Sequence, residues 1–197
     1  MNNQDDLLTA LVPISELLTR LGIHHYVGGS VASSFHGATR STMDVDVVAE
    51  IVEAHGASLI SGIGQDYYHS ASAIQSAIRR QSCFNLIHLP TSFKVDVFVS
   101  RQRPFDLTAR QRAPREQLSD HDPFRIPVAT AEDSIISKLD WYRQTNENSE
   151  RQWEDVTRLI KLLGEDADRD YLKSAAESVG VADLLARLLK ENSGESS

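Results

Sequence analysis

Leu7, Leu8, Leu11, Ile14, Leu17, Leu18 and Leu21 recur three and four residues apart, so the start of the chain predicts an amphipathic helix. Pro13 falls inside that pattern and is expected to break or kink it, and Gly22 supplies a stop. His25-Tyr26-Val27 reads as a short strand running into Gly28-Gly29, and Val31 to His36 as a short helix with Ser30 at its N-cap. Asp44 to Ala49, Cys83 to Leu89 and Phe93 to Val99 read as three strands. The last two form a hairpin about Pro90-Thr91-Ser92. Helical spacing covers Glu53 to Ile63 and Ser72 to Arg80. Pro104, Pro114, Pro123 and Pro127 mark residues 100–128 as loops with one short helix and one or two short strands. From Thr130 onward the pattern is helical. Thr130-Ala131-Glu132-Asp133 caps a helix striped by Ile135, Ile136, Leu139 and Tyr142. Further helices follow over Glu150 to Leu163, Asp170 to Val179 and Val181 to Leu189, the last two split by Gly180. The pattern predicts an α/β chain: a small mixed sheet with flanking helices over 1–128, an all-helical lobe over 129–191, and a frayed tail over 192–197.

Composition narrows the class. A chain of 197 residues can bury a sizeable core without staples, and 41% hydrophobic with 24% charged residues is ordinary for a globular protein. No apolar run reaches roughly 18 residues, so no membrane helix is expected. The acidic, polar start Met1-Asn2-Asn3-Gln4-Asp5-Asp6 is unlike a secretory signal, and the cytoplasm is the natural compartment. Cys83 is the single cysteine, which excludes an internal disulfide and a multi-cysteine zinc site; within its strand it reads as a buried structural thiol. A net charge of −8 argues against a general nucleic-acid coat. Arg101, Arg103, Arg110, Arg112 and Arg115 nevertheless crowd one segment, either as a basic lip or as a solvated face balanced by acids elsewhere.

The candidate chemistry sits in two strands and one turn. Residues i and i+2 of a strand share a face, so the carboxylates of Asp44 and Asp46 stand side by side, which is costly without a cation. Mg²⁺ removes that cost and also bridges triphosphate oxygens. Asp96, in Lys94-Val95-Asp96-Val97-Phe98, comes from a strand of the same character. If the two strands are neighbours, three acids converge, enough for two metal ions and for orienting or deprotonating an attacking hydroxyl. The alternative is that these acids end strands in water. Gly28-Gly29-Ser30 occupies a strand-to-helix turn, where glycines let backbone approach a phosphate and Ser30 offers a hydroxyl. Other groups read as structural. His24-His25 are expected to be solvent-exposed and His36 to hold a turn. His121 and Asp122 lie in a loop with nothing to complete a triad, and Tyr67-Tyr68 and Trp141-Tyr142 read as packing.

The stretch from Tyr26-Val27-Gly28-Gly29-Ser30 through His36-Gly37, Arg40-Ser41-Thr42-Met43-Asp44-Val45-Asp46 resembles the polymerase-β-type nucleotidyltransferase superfamily. More narrowly, it resembles the AbiEii and MenT group of bacterial nucleotidyltransferase toxins, in which a Gly-Gly turn leads to His-Gly and then Arg-x-Thr-x-Asp-x-Asp. The resemblance implies a nucleotidyltransferase fold and metal-dependent transfer of a nucleotide from a triphosphate. It implies that Ala131 to Leu139 carries an active-site lysine, Lys138, facing the triphosphate, and that Asp155 is the aspartate of the following helix. Arg40 and Lys138 would neutralise phosphate charge. The plainer reading of Lys138 is a surface lysine paired with Asp133 or Asp140. The expected reaction moves an NMP from an NTP to an acceptor hydroxyl with release of pyrophosphate. By resemblance the acceptor is the 3′ end of tRNA in a toxin controlled by a cognate antitoxin. A protein hydroxyl, a small cationic antibiotic, or a fold retained only for nucleotide binding are the alternatives.

Overall fold

The computed structural model describes residues 3–38, 43–119 and 122–193. Arg40 and Thr42 of the resemblance motif, and His121, lie outside the described residues.

Helix α1 (Asn3–Arg20) runs unbroken through Pro13. The expected break does not occur because Leu7, Leu8, Leu11, Ile14, Leu17 and Leu18 are all buried on one side while Pro13 is exposed on the other. The lost backbone hydrogen bond is outweighed by apolar burial. The helix ends in a Schellman turn. Gly22 has φ +69°, its N–H donates to Thr19 O, and Ile23 N–H donates to Leu18 O. Strand β1 (His25–Val27) leads to α2 (Gly29–Phe35), whose N-cap is Gly28 rather than Ser30; Ser30 lies in the first helical turn. Strand β2 (Asp44–Ala49) is followed by a short 3₁₀ turn, α3 (Gly56–Gly62), β3 (Tyr67–Tyr68), α4 (Ala71–Arg80), β4 (Cys83–His88) and β5 (Phe93–Val99).

These strands form one mixed sheet in the order β1-β2-β5-β4-β3, with β2 and β5 parallel and the other pairs antiparallel. Alternation decides its two faces. Val45, Val47, Val95, Val97, Phe84 and Leu86 are buried behind the sheet, where α1 packs across β2 and β5. The intervening residues, among them Asp44, Asp46, Lys94 and Asp96, face the other way. Strand β3 is a two-residue edge that sequence periodicity is too short to reveal.

The segment before the last helices holds α5 (Pro104–Arg112) and the hairpin β6 (Arg115–Ser119) with β7 (Asp122–Pro127). Val128 then bridges to Val27 in parallel, and Ala129 N–H donates to Val27 O, so the chain re-enters the sheet along its β1 edge. Helix α6 (Ala131–Gln144) follows, with Thr130 accepting from Asp133 N–H as its cap. It packs on α2, α7 (Glu150–Leu163) and α8 (Arg169–Val179). Helix α9 (Ala182–Ser193) closes the helical part and includes Asn192, the first residue of the expected tail; residues 194–197 lie outside the described residues. No described helix is long and apolar enough to cross a membrane.

His25 corrects its sequence reading. It is buried, 9% exposed, and its Nδ1 donates to Ile23 O at 3.0 Å. Nε2 is therefore left to accept from the Ser15 hydroxyl, 2.7 Å away, so the ring is held neutral. Burial lowers its pKa below the ordinary 6.5, outweighing the opposing pull of the Ile23 carbonyl. In the unfolded chain the same ring takes a proton near its ordinary pKa. Its contribution to stability is thus complete above that value and is lost as pH falls toward the folded one. Urea unfolding at about pH 7.5 and about pH 5.5 is expected to show a larger drop for wild type than for His25→Asn. Parallel pH slopes in the two proteins would show that His25 does not carry this dependence.

Candidate active site

The parallel register of β2 and β5 sets the centre of the site. Asp46 pairs with Asp96, and Asp44 with Lys94. Since partners in register share a face, the open side of the sheet carries Asp44 and Lys94 in one row and Asp46 and Asp96 in the next. Lys94 Nζ lies 2.7 Å from Asp96 Oδ2 and 3.9 Å from Asp44 Oδ2, a cation set among the acids. Its pKa is raised above the lysine value, first by the hydrogen bond to Asp96. Lys94 was not singled out in the sequence. The signal was there, two residues from Asp96 on an alternating strand. Among the described residues no group of three or more His, Cys, Asp or Glu side chains stands ready to hold a metal ion.

Asp46 is the most constrained of the three acids. Burial pushes its pKa up to about 6, with Asp96 and Asp44 adding like-charge repulsion and Lys138 and Lys94 opposing it. Its carboxylate lies against Gly29. A Cβ at Gly29 would meet Asp46 Oδ2 at 1.6 Å, and Gly29 itself has φ +58°. Gly28 N–H donates to Asp46 O at 2.9 Å, which draws the turn onto β2. Gly29 is thus required by the carboxylate it faces as well as by its backbone, whereas a Cβ at Gly28 would meet only Val48 at 3.9 Å.

A cleft of about 700 Å³ opens over this face, lined by Gly29, Ser30, Asp44 and Asp46 on the sheet side. Ser134, Ser137, Lys138 and Trp141 line it from α6, at the i, i+3, i+4, i+7 spacing of one helix face. Lys138 is buried and gives a 2.9 Å ion pair with Asp155 of α7, not with Asp133 or Asp140. The structure thereby brings together the lysine and the aspartate of two separate helices, both at the cleft wall. Ser134 is 3% exposed, and among the described residues its Oγ has no hydrogen-bond partner.

Cys83 is exposed at the start of β4, and not buried as its strand position implied. It pairs with Phe98 on the cleft face, where partial desolvation of its sulfur and the charges of Asp96 and Asp46 push the thiol up to about 12 and keep it protonated. Trp141 also departs from its reading as packing, being 45% exposed in the cleft, whereas Tyr142 packs against Trp153.

Arg103, Arg110 and Arg112 of the expected basic lip are taken up by ion pairs. Arg103 reaches Asp106 and Asp140, at 3.0 and 2.8 Å. Arg110 reaches Glu50 at 3.0 Å, and Arg112 reaches Asp133 at 3.3 Å while stacking over Tyr171, whose hydroxyl also bonds Asp133. Arg115 donates to Arg125 O, and Arg101 to Gln144 Oε1. These arginines brace α5 and the hairpin against the acids around them.

Two measurements test the geometry. Gly22 and Gly29 both have positive φ, but nothing lies within 4 Å of a Cβ at Gly22. Each replacement by alanine costs roughly 1–2 kcal/mol for the left-handed backbone, and Gly29→Ala is expected to cost more because Asp46 must move. Equal losses in denaturant unfolding would contradict the close approach. Removing Lys138 leaves Asp155 without its buried counter-charge, so Lys138→Met should destabilise by roughly 3–5 kcal/mol, with much of it recovered in Lys138→Met/Asp155→Leu. A double variant no more stable than the single one would show that the pair is not the source of the loss.

No protein-family model matches the chain, and no curated protein matches it by sequence. Among solved structures, the antibiotic-resistance factor ANT(2″)-Ia, known from a solution structure, is similar over 94% of both chains at 12% identity and a TM-score of 0.50. An antigenic nucleotidyltransferase-like protein from Paracoccidioides brasiliensis is similar over 94% of this chain and 93% of its own, at 19% identity and a TM-score of 0.53. At these identities the likeness concerns the fold. The five-stranded mixed sheet with its flanking helices and the helical C-terminal part match the fold of nucleotidyltransferases.

Proposed function

We propose that the protein is a metal-dependent nucleotidyltransferase that moves an NMP from an NTP to an acceptor hydroxyl and releases pyrophosphate. The observation that carries the reading is Asp46: a half-buried carboxylate with Asp44 and Asp96 beside it, pressed against the Gly29 turn at the floor of a large cleft. Carboxylates crowded in this way call for a cation, and an all-oxygen donor set suits Mg²⁺. Asp44 and Asp46 would hold it, with Asp96 as a further ligand or as the base. When bound, the cation would offset their charge and polarise the phosphate that is attacked.

The chain's own residues account for the rest. Gly29 and Ser30 approach the triphosphate from the β1–α2 turn, and Lys138 supplies a positive charge from the opposite wall. The acceptor oxygen attacks the α-phosphorus, the bond to the β-phosphate oxygen breaks, and pyrophosphate leaves with the electron pair. Asp96 takes the hydroxyl proton. Such transfer depends mainly on positioning and electrostatics, which this constellation supplies.

For the acceptor, the toxin-like reading with a tRNA end and an antitoxin needs basic surface for RNA phosphates. Three of the arginines that were to provide it, Arg103, Arg110 and Arg112, are committed to Glu50, Asp106, Asp133 and Asp140, which leaves only Arg101 and Arg115 of that segment exposed. That pairing, with the overall charge of −8, favours a small cationic hydroxyl compound, in keeping with the antibiotic-resistance factor of similar fold.

Purified protein incubated with Mg²⁺, each α-labelled NTP and whole-cell extract tests both levels. Label is expected in a fraction resistant to nuclease and protease, accompanied by pyrophosphate. Asp46→Asn should reduce it by more than about a hundredfold, since even outer-shell partners of metal ligands are worth 10–100-fold. Undiminished transfer by the variant would refute the site, and nuclease-sensitive label would return the acceptor to RNA.

A further inference from the structure

The cleft floor changes character along its strands. One step beyond Asp46 and Asp96, the row in register across β1, β2, β5 and β4 is Tyr26, Val48, Phe98 and Cys83. All four line the cleft. Trp141 stands over this row. Its ring meets Phe98 nearly perpendicularly, at 85° with centroids 6.1 Å apart, and Phe98 thereby fixes the tilt of the indole. A tryptophan left 45% exposed inside a concave site is apolar surface that a ligand can cover.

Helix α7 adds a polar group at the same end. The connection between α6 and α7 spans only residues 145–149, so the two run antiparallel. Gln152, one turn before Asp155, comes level with Trp141, one turn after Lys138, and the neighbouring Tyr142–Trp153 ring contact marks that level. Gln152 lines the cleft, and among the described residues its buried Oε1 has no hydrogen-bond partner. A buried amide oxygen without a donor is costly, and an incoming N–H would satisfy it.

We infer that this end of the cleft is a nucleobase subsite: a planar heterocycle stacks on the free face of Trp141, above Val48 and Phe98, with its polar edge toward Gln152. The step from Asp46 to Val48 is about 7 Å along the strand, the distance a ribose spans between an α-phosphate and its base. The phosphates lie over the acids and the Gly29 turn, and the base lies over the apolar row. The inference rests on the nucleotidyl-transfer reading and assigns the part of the donor that Trp141 recognises. An acceptor ring in the same place is the rival occupant.

Binding to the full-length chain separates these cases, using ATP, GTP, CTP, UTP and, as a ligand with phosphates and no base, inorganic tripolyphosphate. Trp141→Ala is expected to weaken the tightest of the four nucleotides by roughly ten- to hundredfold, while tripolyphosphate affinity stays within about twofold. Trp141→Phe keeps an aromatic face and should retain most of the affinity. Unchanged nucleotide affinity in Trp141→Ala overturns the subsite and leaves Trp141 to the acceptor. A parallel loss of tripolyphosphate overturns it as well, because Trp141 would then support the phosphate end or the fold. Wild type that binds tripolyphosphate as tightly as every nucleotide refutes the base subsite alone. Wild type that binds none of the five refutes the nucleotide reading with it.

Discussion

The register between β2 and β5 is the constraint on which the site depends. Val45, Val47, Val95 and Val97 are at most 1% exposed on the back of the sheet, so their strands can pair in one alignment only without turning apolar side chains outward. That alignment leaves Asp46 opposite Asp96, two negative charges at neighbouring positions with Asp44 one step away. The core thus imposes an electrostatic cost on the opposite face. Residues around it offset that cost: Lys94 bridges toward Asp96 and Asp44, Lys138 reaches in from α6, and Gly29 leaves room for the Asp46 carboxylate. Burying valines and crowding carboxylates are one structural decision seen from two sides.

Charge elsewhere is handled by pairing. Three of the chain's acids do not lie loose on its surface. Asp106, Asp133 and Asp140 are buried or nearly so and take Arg103, just ahead of α5, and Arg112 at its end. Buried ion pairs of this kind contribute little net stability, yet removing one partner is costly, so they specify geometry more than they strengthen it. What they specify is the position of α6, which carries Ser134, Lys138 and Trp141 to the cleft.

Elements with their own local signal were legible in the chain. Strands β2 and β5 follow the expected bounds, Thr130 caps its helix, and Gly22 and Gly180 end theirs. The shared face of Asp44 and Asp46 needed only the period of a strand. Features decided by distant packing were not legible. Pro13 is carried through α1 by a stripe buried against a sheet, and His25 is buried because Ser15 and Ile23 receive it. The arginine segment looked available because its partners, Glu50, Asp133 and Asp140, are scattered through the sequence. Trp141 and Lys94 carried the right spacing, but spacing alone does not say whether a face meets core or cleft.

The bridge between Val27 and Val128 spans 101 positions of chain and lies beside a strand of three residues. Until Val128 arrives, one margin of the sheet exposes unpaired backbone groups, the kind of template that recruits other chains. Pairing over such a separation is slow, because loop closure must be completed before any contact repays it. A chain that ended before Val128 would keep the glycine-bearing margin of its sheet open. Val128 and Ala129, just ahead of α6, are what closes it.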